Sequence, residues 1–306
     1  MDLAVITGKQ VLMLFVCIAA GFIGAKSNVV KAAARKAFSD LLVYIIVPCM
    51  VVHSYMMEFH EEVLKNLAIV LGMGMILIPL GIMVGYLMTI PLKKDANRNM
   101  ICFMIGFSNC AYMGFPLIQA LFGDEGLLYA SIYVTAFNIF VWSIGVVLMK
   151  GATSKKDVLK SVAGNPVFYA VFVGLLIYFF QIPVPEVLEA PLDMIGDMNT
   201  PLSMIITGMI IAYNPVGQIM KNYRVWVVVL GRLLIAPAIS LVVVRLFGIT
   251  GMVSQILVLL CATPTAALSS VFAVQYGRDE QLAAGSVVIT TFLSVITLPV
   301  VAFLVS

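Results

Sequence analysis

The chain is a succession of long apolar runs separated by short polar clusters. A helical membrane span needs about 20 mostly apolar residues. Ten such runs follow one another, near 8–26, 37–57, 63–90, 99–122, 126–149, 164–182, 191–213, 223–246, 252–276 and 280–304. A transmembrane β-barrel would show ~10-residue segments of alternating polarity, and none is visible. The pattern predicts an all-α integral membrane protein with ten transmembrane helices, spans 1 to 10.

The polar clusters alternate in sign. Lys26, Lys31, Arg35 and Lys36 follow span 1; Glu58, Glu61 and Glu62 follow span 2; Lys93, Lys94 and Arg98 follow span 3; Asp124 and Glu125 follow span 4. Lys150, Lys155, Lys156 and Lys160 follow span 5, Glu186 and Glu189 span 6, and Lys221 and Arg224 span 7. Basic loops stay in the cytoplasm, so the odd-numbered loops are placed there. This predicts a multi-pass cell-membrane protein with both termini outside. The code is weakest after span 9, where Arg278 stands among acidic neighbours. The first apolar run, about Val11 to Ala25, lacks a basic leader and reads as a mature helix rather than a signal peptide.

Sliding the chain against itself by 153 to 155 positions reveals a repeat. Asp40 meets Asp193, Pro48 meets Pro201 and Gly123 meets Gly277. At a constant offset, Asp124, Glu125, Leu127, Ser131, Thr135 and Phe137 meet Asp279, Glu280, Leu282, Ser286, Thr290 and Phe292. Residues 1–150 and 164–306 therefore read as two five-helix halves joined by a short cytoplasmic linker, 151–163. An odd number of spans per half places the second half upside down, an architecture of many secondary transporters.

Composition sharpens this. Hydrophobic residues make up 62% and charged residues 11%, with a mean hydropathy of +1.09. A soluble domain carries about 25% charged residues, so a soluble protein is excluded. The net charge of +3 matters less than its segregation. Cys17, Cys49, Cys102, Cys110 and Cys261 all lie in apolar runs without metal-site spacing; they and the methionines are expected to pack. No phosphate-binding GxxxxGK[ST] loop occurs, which argues against a primary pump. Intramembrane proteolysis needs a Ser facing a His at depth, or paired Asp residues. His53 and His60 lie near span ends, as does Lys9, and "MIGD" lacks a paired-Asp motif. The chain is not expected to be an enzyme.

Polar residues concentrate in two spans that the repeat pairs. Span 4 carries "SNCAYMGFP" and span 9 carries "CATPTAALSS". Proline removes a backbone donor, and in hydrocarbon no water replaces it. Interrupted helices in matching positions of two halves point to a midplane binding site, because a broken helix exposes a positive half-helix N-terminus. Pro116 and Pro264 are expected to break spans 4 and 9, and Pro48 and Pro201 to break spans 2 and 7. Gly114, Ala266 and Ala267 would let the backbones approach. Ser108, Asn109, Tyr112, Thr263, Ser269 and Ser270 are the candidate substrate-binding side chains. The Asn109 amide donates and accepts, which suits a carboxylate ligand; the alternative is that it caps freed backbone. Arg232 lies deep in span 8, where a charge signals function, either attracting an anion or held in an ion pair. Asp197, before Pro201, either carries a coupling proton or cation or is a solvated residue at the helix end.

At "GFSNCAYMGFPLIQALFG", "MNTPLSMIITGMIIA" and "ATPTAALSSVFAVQYGRDEQLAAGSVVITTFLSVITLPV" the chain resembles the auxin efflux carrier family, which includes bacterial carriers and the plant PIN-FORMED auxin transporters. The resemblance spans nearly the whole chain. It implies a fold similar to bile-acid symporters and sodium/proton antiporters, with broken spans 4 and 9 crossing. It also implies a scaffold of spans 1, 2, 6 and 7 and a mobile unit of spans 3–5 and 8–10. The expected function is secondary transport of small organic anions, carboxylates among them, by an elevator motion; a non-transporting receptor or a channel on the same fold is the alternative. Asn109 matches the family's span 4 asparagine. The long loop of plant members is reduced here to "KGATSKKDVLKSVAGN". The expected partners are an organic anion, the lipid bilayer and a second copy of the chain in a homodimer, with no nucleic acid. No cofactor or metal is expected; proton coupling, sodium coupling and uniport all stay open.

Overall fold

The computed structural model describes residues 3–150, 166–213 and 220–306. The linker 151–163, with Lys155, Lys156 and Lys160, lies outside the described residues. Among these residues the regular structure is helical, apart from a single isolated β-bridge. The helices are α1 (Leu3–Lys26), α2 (Ala34–Ser54), α3 (Glu61–Met88), α4 (Arg98–Gly106), α5 (Cys110–Lys150), α6 (Pro166–Phe180), α7 (Glu186–Ala212), α8 (Tyr223–Leu246), α9 (Gly251–Ala262), α10 (Leu268–Gln275) and α11 (Glu280–Val305). Seven of them, α1, α2, α3, α5, α7, α8 and α11, are long and apolar enough to cross a membrane; α6 and α9 are shorter apolar helices.

The difference from ten expected runs arises at spans 4, 5, 6 and 9, of which span 6 is the shorter α6. Span 4 is divided into α4 and the first arm of α5. Span 9 is divided into α9 and α10. The second arm of α5 is span 5, which turns away at Gly123, where φ is +63° and ψ −153°. That left-handed conformation favours glycine. Gly277, before α11, is left-handed as well, with φ +60°.

Prolines widen these helices more often than they end them. Pro48, Pro116 and Pro237 each come two residues after a π-turn, at Leu42–Ile46, Cys110–Gly114 and Gly231–Ile235. The ring of an interior proline clashes with the carbonyl four residues back and leaves it without a donor; a wider turn relieves both while the helix continues. Pro48 and Pro116 therefore do not break their spans, contrary to the sequence expectation. In α7 the hydrogen bonding loosens at Asp197–Met198, one turn before Pro201, because Pro201 has no N–H for the Asp197 carbonyl. Nothing in the local sequence explains a fourth π-turn, Val141–Gly145.

Small residues set the closest contacts. α1 lies on the second arm of α7 so tightly that a Cβ at Gly21 would overlap the Ile205 carbonyl, and one at Gly208 the Ile18 carbonyl. α3 meets α4 through Gly85 against Cys102 and Gly81 against Gly106. In lipid, where burying apolar surface between helices gains little, such backbone proximity drives association.

Candidate functional site

The two interruptions meet. α4 stops at Gly106, and Phe107 turns extended, with φ −107° and ψ 117°. α9 stops at Ala262, and Thr263 turns extended, with ψ 151°, as expected of a residue that precedes proline. Between them Ser108 and Thr265 form an antiparallel bridge. The Asn109 N–H donates to the Pro264 carbonyl at 2.7 Å, and the Ala266 N–H to the Phe107 carbonyl at 3.0 Å. The Thr265 hydroxyl reaches the Met104 carbonyl at 3.2 Å, and its N–H donates to Thr290 Oγ1 at 3.2 Å. Each break thus satisfies backbone groups the other exposes, as buried backbone demands.

Four half-helix ends gather here, and the chain treats them in two ways. The C-terminal ends of α4 and α9 face Arg232, which is 2% exposed. Its Nη1 donates to the Ile105 carbonyl at 2.8 Å and lies 3.4 Å from the Gly106 carbonyl; its Nη2 donates to the Cys261 carbonyl. Helix C-termini carry partial negative charge, so one guanidinium neutralises two of them. Among the described residues no carboxylate pairs with Arg232; the ion pairs there are His53–Asp193 and Arg224–Asp95. Of the two alternatives expected for Arg232, anion attraction or an ion pair, the ion pair gives way to carbonyl capping. Nε of Arg232 has no described partner and adjoins a cavity of about 10 Å³ beside Tyr133 and Cys261, room for about one water.

The N-terminal ends of α5 and α10 instead border a larger cavity of about 80 Å³. Ser108, Asn109, Ala111 and Tyr112 line one side with Ala266, Ala267 and Leu268; Val134, Phe137, Asn138 and Trp142 of α5 add a further wall. Leu42, Val43 and Val47 of α2, Val167 of α6 and Asn199 of α7 complete the lining. The lining is mostly apolar, yet it holds donors without partners. Asn138 Nδ2, Trp142 Nε1 and both polar atoms of the Asn199 amide are buried with no hydrogen-bond partner among the described residues. Buried polar atoms are normally paired, so three cavity-lining residues with unpartnered side-chain atoms make this cavity the candidate site for a polar ligand.

Of the residues expected from sequence, Ser108, Asn109 and Tyr112 line this cavity. Ser269 and Ser270 sit in the first turn of α10, buried, with unpartnered hydroxyls. Thr263 turns back to the Leu260 carbonyl at 2.8 Å. Gly114 is a packing residue, since a Cβ there would come 2.7 Å from Leu260. Pro264 lies in its break, whereas Pro116 borders a separate cavity of about 280 Å³ with Gln10, Gln119 and Thr200. Asp197 is exposed in its turn and does not line the cavity. Asn138, Trp142 and Asn199 were missed by sequence reading. The signal was present, because an amide in an apolar run is as costly at 138 or 199 as at 109.

The chain matches the family described as Membrane transport protein over residues 6–163 and 152–302. The chain belongs to this family, the auxin efflux carrier family. An uncharacterized transporter of Methanocaldococcus jannaschii is 22% identical over 306 residues, covering 94% of this chain and 95% of that protein. A Rhizobium meliloti protein named "Putative malonate transporter" is 22% identical over 304 residues, covering 96% of this chain and 94% of its own. An uncharacterized transporter of Methanothermobacter thermautotrophicus is 25% identical over 194 residues, 62% of this chain and 63% of that one. The chain is a multi-pass membrane transporter of a family of membrane transport proteins.

Proposed function

We propose that the protein is a secondary carrier of small organic anions, carboxylates in particular, working by an elevator form of alternating access. The observation that carries this reading is the unequal treatment of the half-helix ends: two C-terminal ends are neutralised by Arg232, while two N-terminal ends border a cavity with unpartnered amides. Partial positive charge at those ends attracts an anion, and Asn109, Asn138 and Asn199 donate to it. Arg232 faces the other ends, so no formal charge in the cavity holds the anion too tightly to release.

Size supports a small substrate. One water needs roughly 10–15 Å³ and drug-sized ligands occupy pockets of about 300–1,000 Å³, so about 80 Å³ suits a few-carbon carboxylate. The name of the Rhizobium relative makes malonate the first compound to test. The cavity is lined by Ser108, Asn109, Asn138 and Ala266 together with Val47, Val167 and Asn199. In the proposed division the first four belong to the mobile unit of spans 3–5 and 8–10 and the last three to the scaffold of spans 1, 2, 6 and 7, with the close α1–α7 contact holding the scaffold rigid. Two inverted five-helix repeats are supported by the paired breaks, by left-handed Gly123 and Gly277, and by the shared bonding of Thr135 and Thr290 to Ser131 and Ser286. Both termini lie outside in this reading.

Uptake into proteoliposomes is the test, with malonate and other two- to four-carbon carboxylates, with and without sodium or a pH gradient. Saturable uptake of at least one supports the carrier. Binding without flux favours the receptor, and neither binding nor flux by folded protein overturns the anion site.

A further inference from the structure

Two serines occupy matching places in the proposed repeats and differ in one respect. Ser131 lies in the eighth position after Gly123 and Ser286 in the ninth after Gly277, each four residues before a threonine that bonds back to its carbonyl. Thr135 Oγ1 donates to the Ser131 carbonyl at 2.9 Å and Thr290 Oγ1 to the Ser286 carbonyl at 2.6 Å. Both serines are 0% exposed. Ser131 Oγ donates to the Leu128 carbonyl at 2.7 Å and stands 3.0 Å from Tyr55 Oη. A serine hydroxyl has one proton, and it is directed to Leu128, so the tyrosine is the donor. Tyr55 is itself 0% exposed, and its ring lies where a Cβ on Gly174 of α6 would fall. Ser286 Oγ, by contrast, has no hydrogen-bond partner among the described residues.

We infer that Ser131 and Ser286 are a pair of alternating latches: Tyr55 fastens Ser131 in the described arrangement, and Ser286 acquires its partner only in the opposite one. This rests on the elevator reading above, in which Tyr55 belongs to the scaffold and Ser131 to the mobile unit. The physical argument is the buried hydroxyl. A buried donor without an acceptor is costly; of the several described hydroxyls in that state, Ser286 is the one whose repeat counterpart, Ser131, is a serine with partners, and it does not adopt the bond to a preceding carbonyl that Ser131 makes. A repeat that turns one half upside down accounts for the asymmetry, because the two halves exchange conformations when the carrier alternates. The Tyr55–Ser131 bond crosses the boundary on the side of the acidic loops, Glu58 to Glu62 and Asp124 to Glu125. The described arrangement is then closed on that side, and Ser286, near the basic-loop side, is unfastened.

The experiment measures distances between spin labels at Val187→Cys and Asp124→Cys, exposed positions on α7 and α5, in full-length protein in liposomes, with Cys17 and Cys49 replaced by alanine. The parent is expected to show two distance populations whose ratio malonate or an ion gradient changes. Tyr55→Phe keeps the ring packing against Gly174, and both it and Ser131→Ala should shift the ratio away from the described arrangement by about two- to tenfold, the worth of one hydrogen bond. Ser286→Ala should shift it the opposite way, because it removes a hydroxyl that only the other arrangement satisfies. Two populations in the parent with an unchanged ratio in Tyr55→Phe and Ser131→Ala overturn the latch and leave the elevator standing. A single unvarying distance in the parent overturns the elevator reading, and the latch with it.

Discussion

The breaks in spans 4 and 9 close on each other, but they are made differently. The second contains its own cause: Pro264 removes a donor and forces Thr263 extended. The first, Phe107–Asn109, contains no proline, and Pro116 comes later, inside a helix that has already resumed. What holds the first break is the second, through the Asn109 N–H on Pro264 and the Phe107 carbonyl on Ala266. One interruption is local, the other is conditional on a contact between residues more than 150 positions apart, and Arg232 ties the ends of both helices.

The largest effect is expected where both breaks depend on one group. Arg232→Met leaves two helix ends without their cation, and charged hydrogen bonds contribute about 1.5–3 kcal/mol each, so a loss of about 3–5 kcal/mol is expected. Folded yield and thermal midpoint in detergent report it. Arg232→Lys should recover only part, since an ammonium cannot span both ends as a planar fork does. Parent-like stability for Arg232→Met would show that the carbonyls do not need the charge.

The next effect separates binding from folding. Asn109→Ala and Asn199→Ala each remove neutral hydrogen bonds worth about 0.5–1.5 kcal/mol. The dissociation constant for the transported carboxylate should rise roughly three- to tenfold, with the thermal midpoint of the empty protein little changed. Calorimetric titration measures this, and parent-like affinity in both variants moves the substrate elsewhere.

A smaller effect tests the comparison itself. Pro264→Ala frees a backbone that the break needs fixed, and matching prolines contribute about 0.4–1 kcal/mol. Pro116→Ala gives the π-turn a donor it does not need and should leave the break at 107–109 intact. If amide exchange at Phe107–Asn109 rises more in Pro116→Ala than in Pro264→Ala, the first break is local after all.

The smallest effect concerns the approach to the first break. Asp95 precedes α4 and takes a hydrogen bond from Arg224 Nε at 2.5 Å. Burial pushes its carboxyl up, but the Asn97 N–H and the Arg224 guanidinium outweigh this and hold it below the usual carboxylate range. A depressed folded value means the contribution is present above the unfolded pKa of about 3.9 and lost as pH falls through the folded value. Asp95→Asn should therefore lower the melting temperature by a small, constant amount between about pH 5 and 8, a difference that shrinks as pH falls below the unfolded pKa of about 3.9 and disappears below the folded value. A difference that grows toward acid would reverse the assigned sign.

By itself the sequence determined what depends on neighbours along the chain. The apolar runs, their charge-marked loops, the turn at Gly123, the break at Pro264 and the cost of Ser108 and Asn109 in lipid all follow from a residue's own backbone and its solvent. Tertiary structure decided the rest. Pro116 is absorbed by a wider turn because the helix continues on both sides of it, whereas Phe107 leaves the helix without a proline because α9 supplies a partner for its carbonyl. Arg232 read as either an anion site or half of an ion pair because its partners are main-chain carbonyls, which every residue has and no motif marks. Asn138, Trp142 and Asn199 were visible as polar residues in apolar runs, but only packing α2, α5, α6 and α7 around one cavity makes them a wall. A hydrogen bond or a charge acts over a few ångströms, and which groups come that close is settled by how the helices cross.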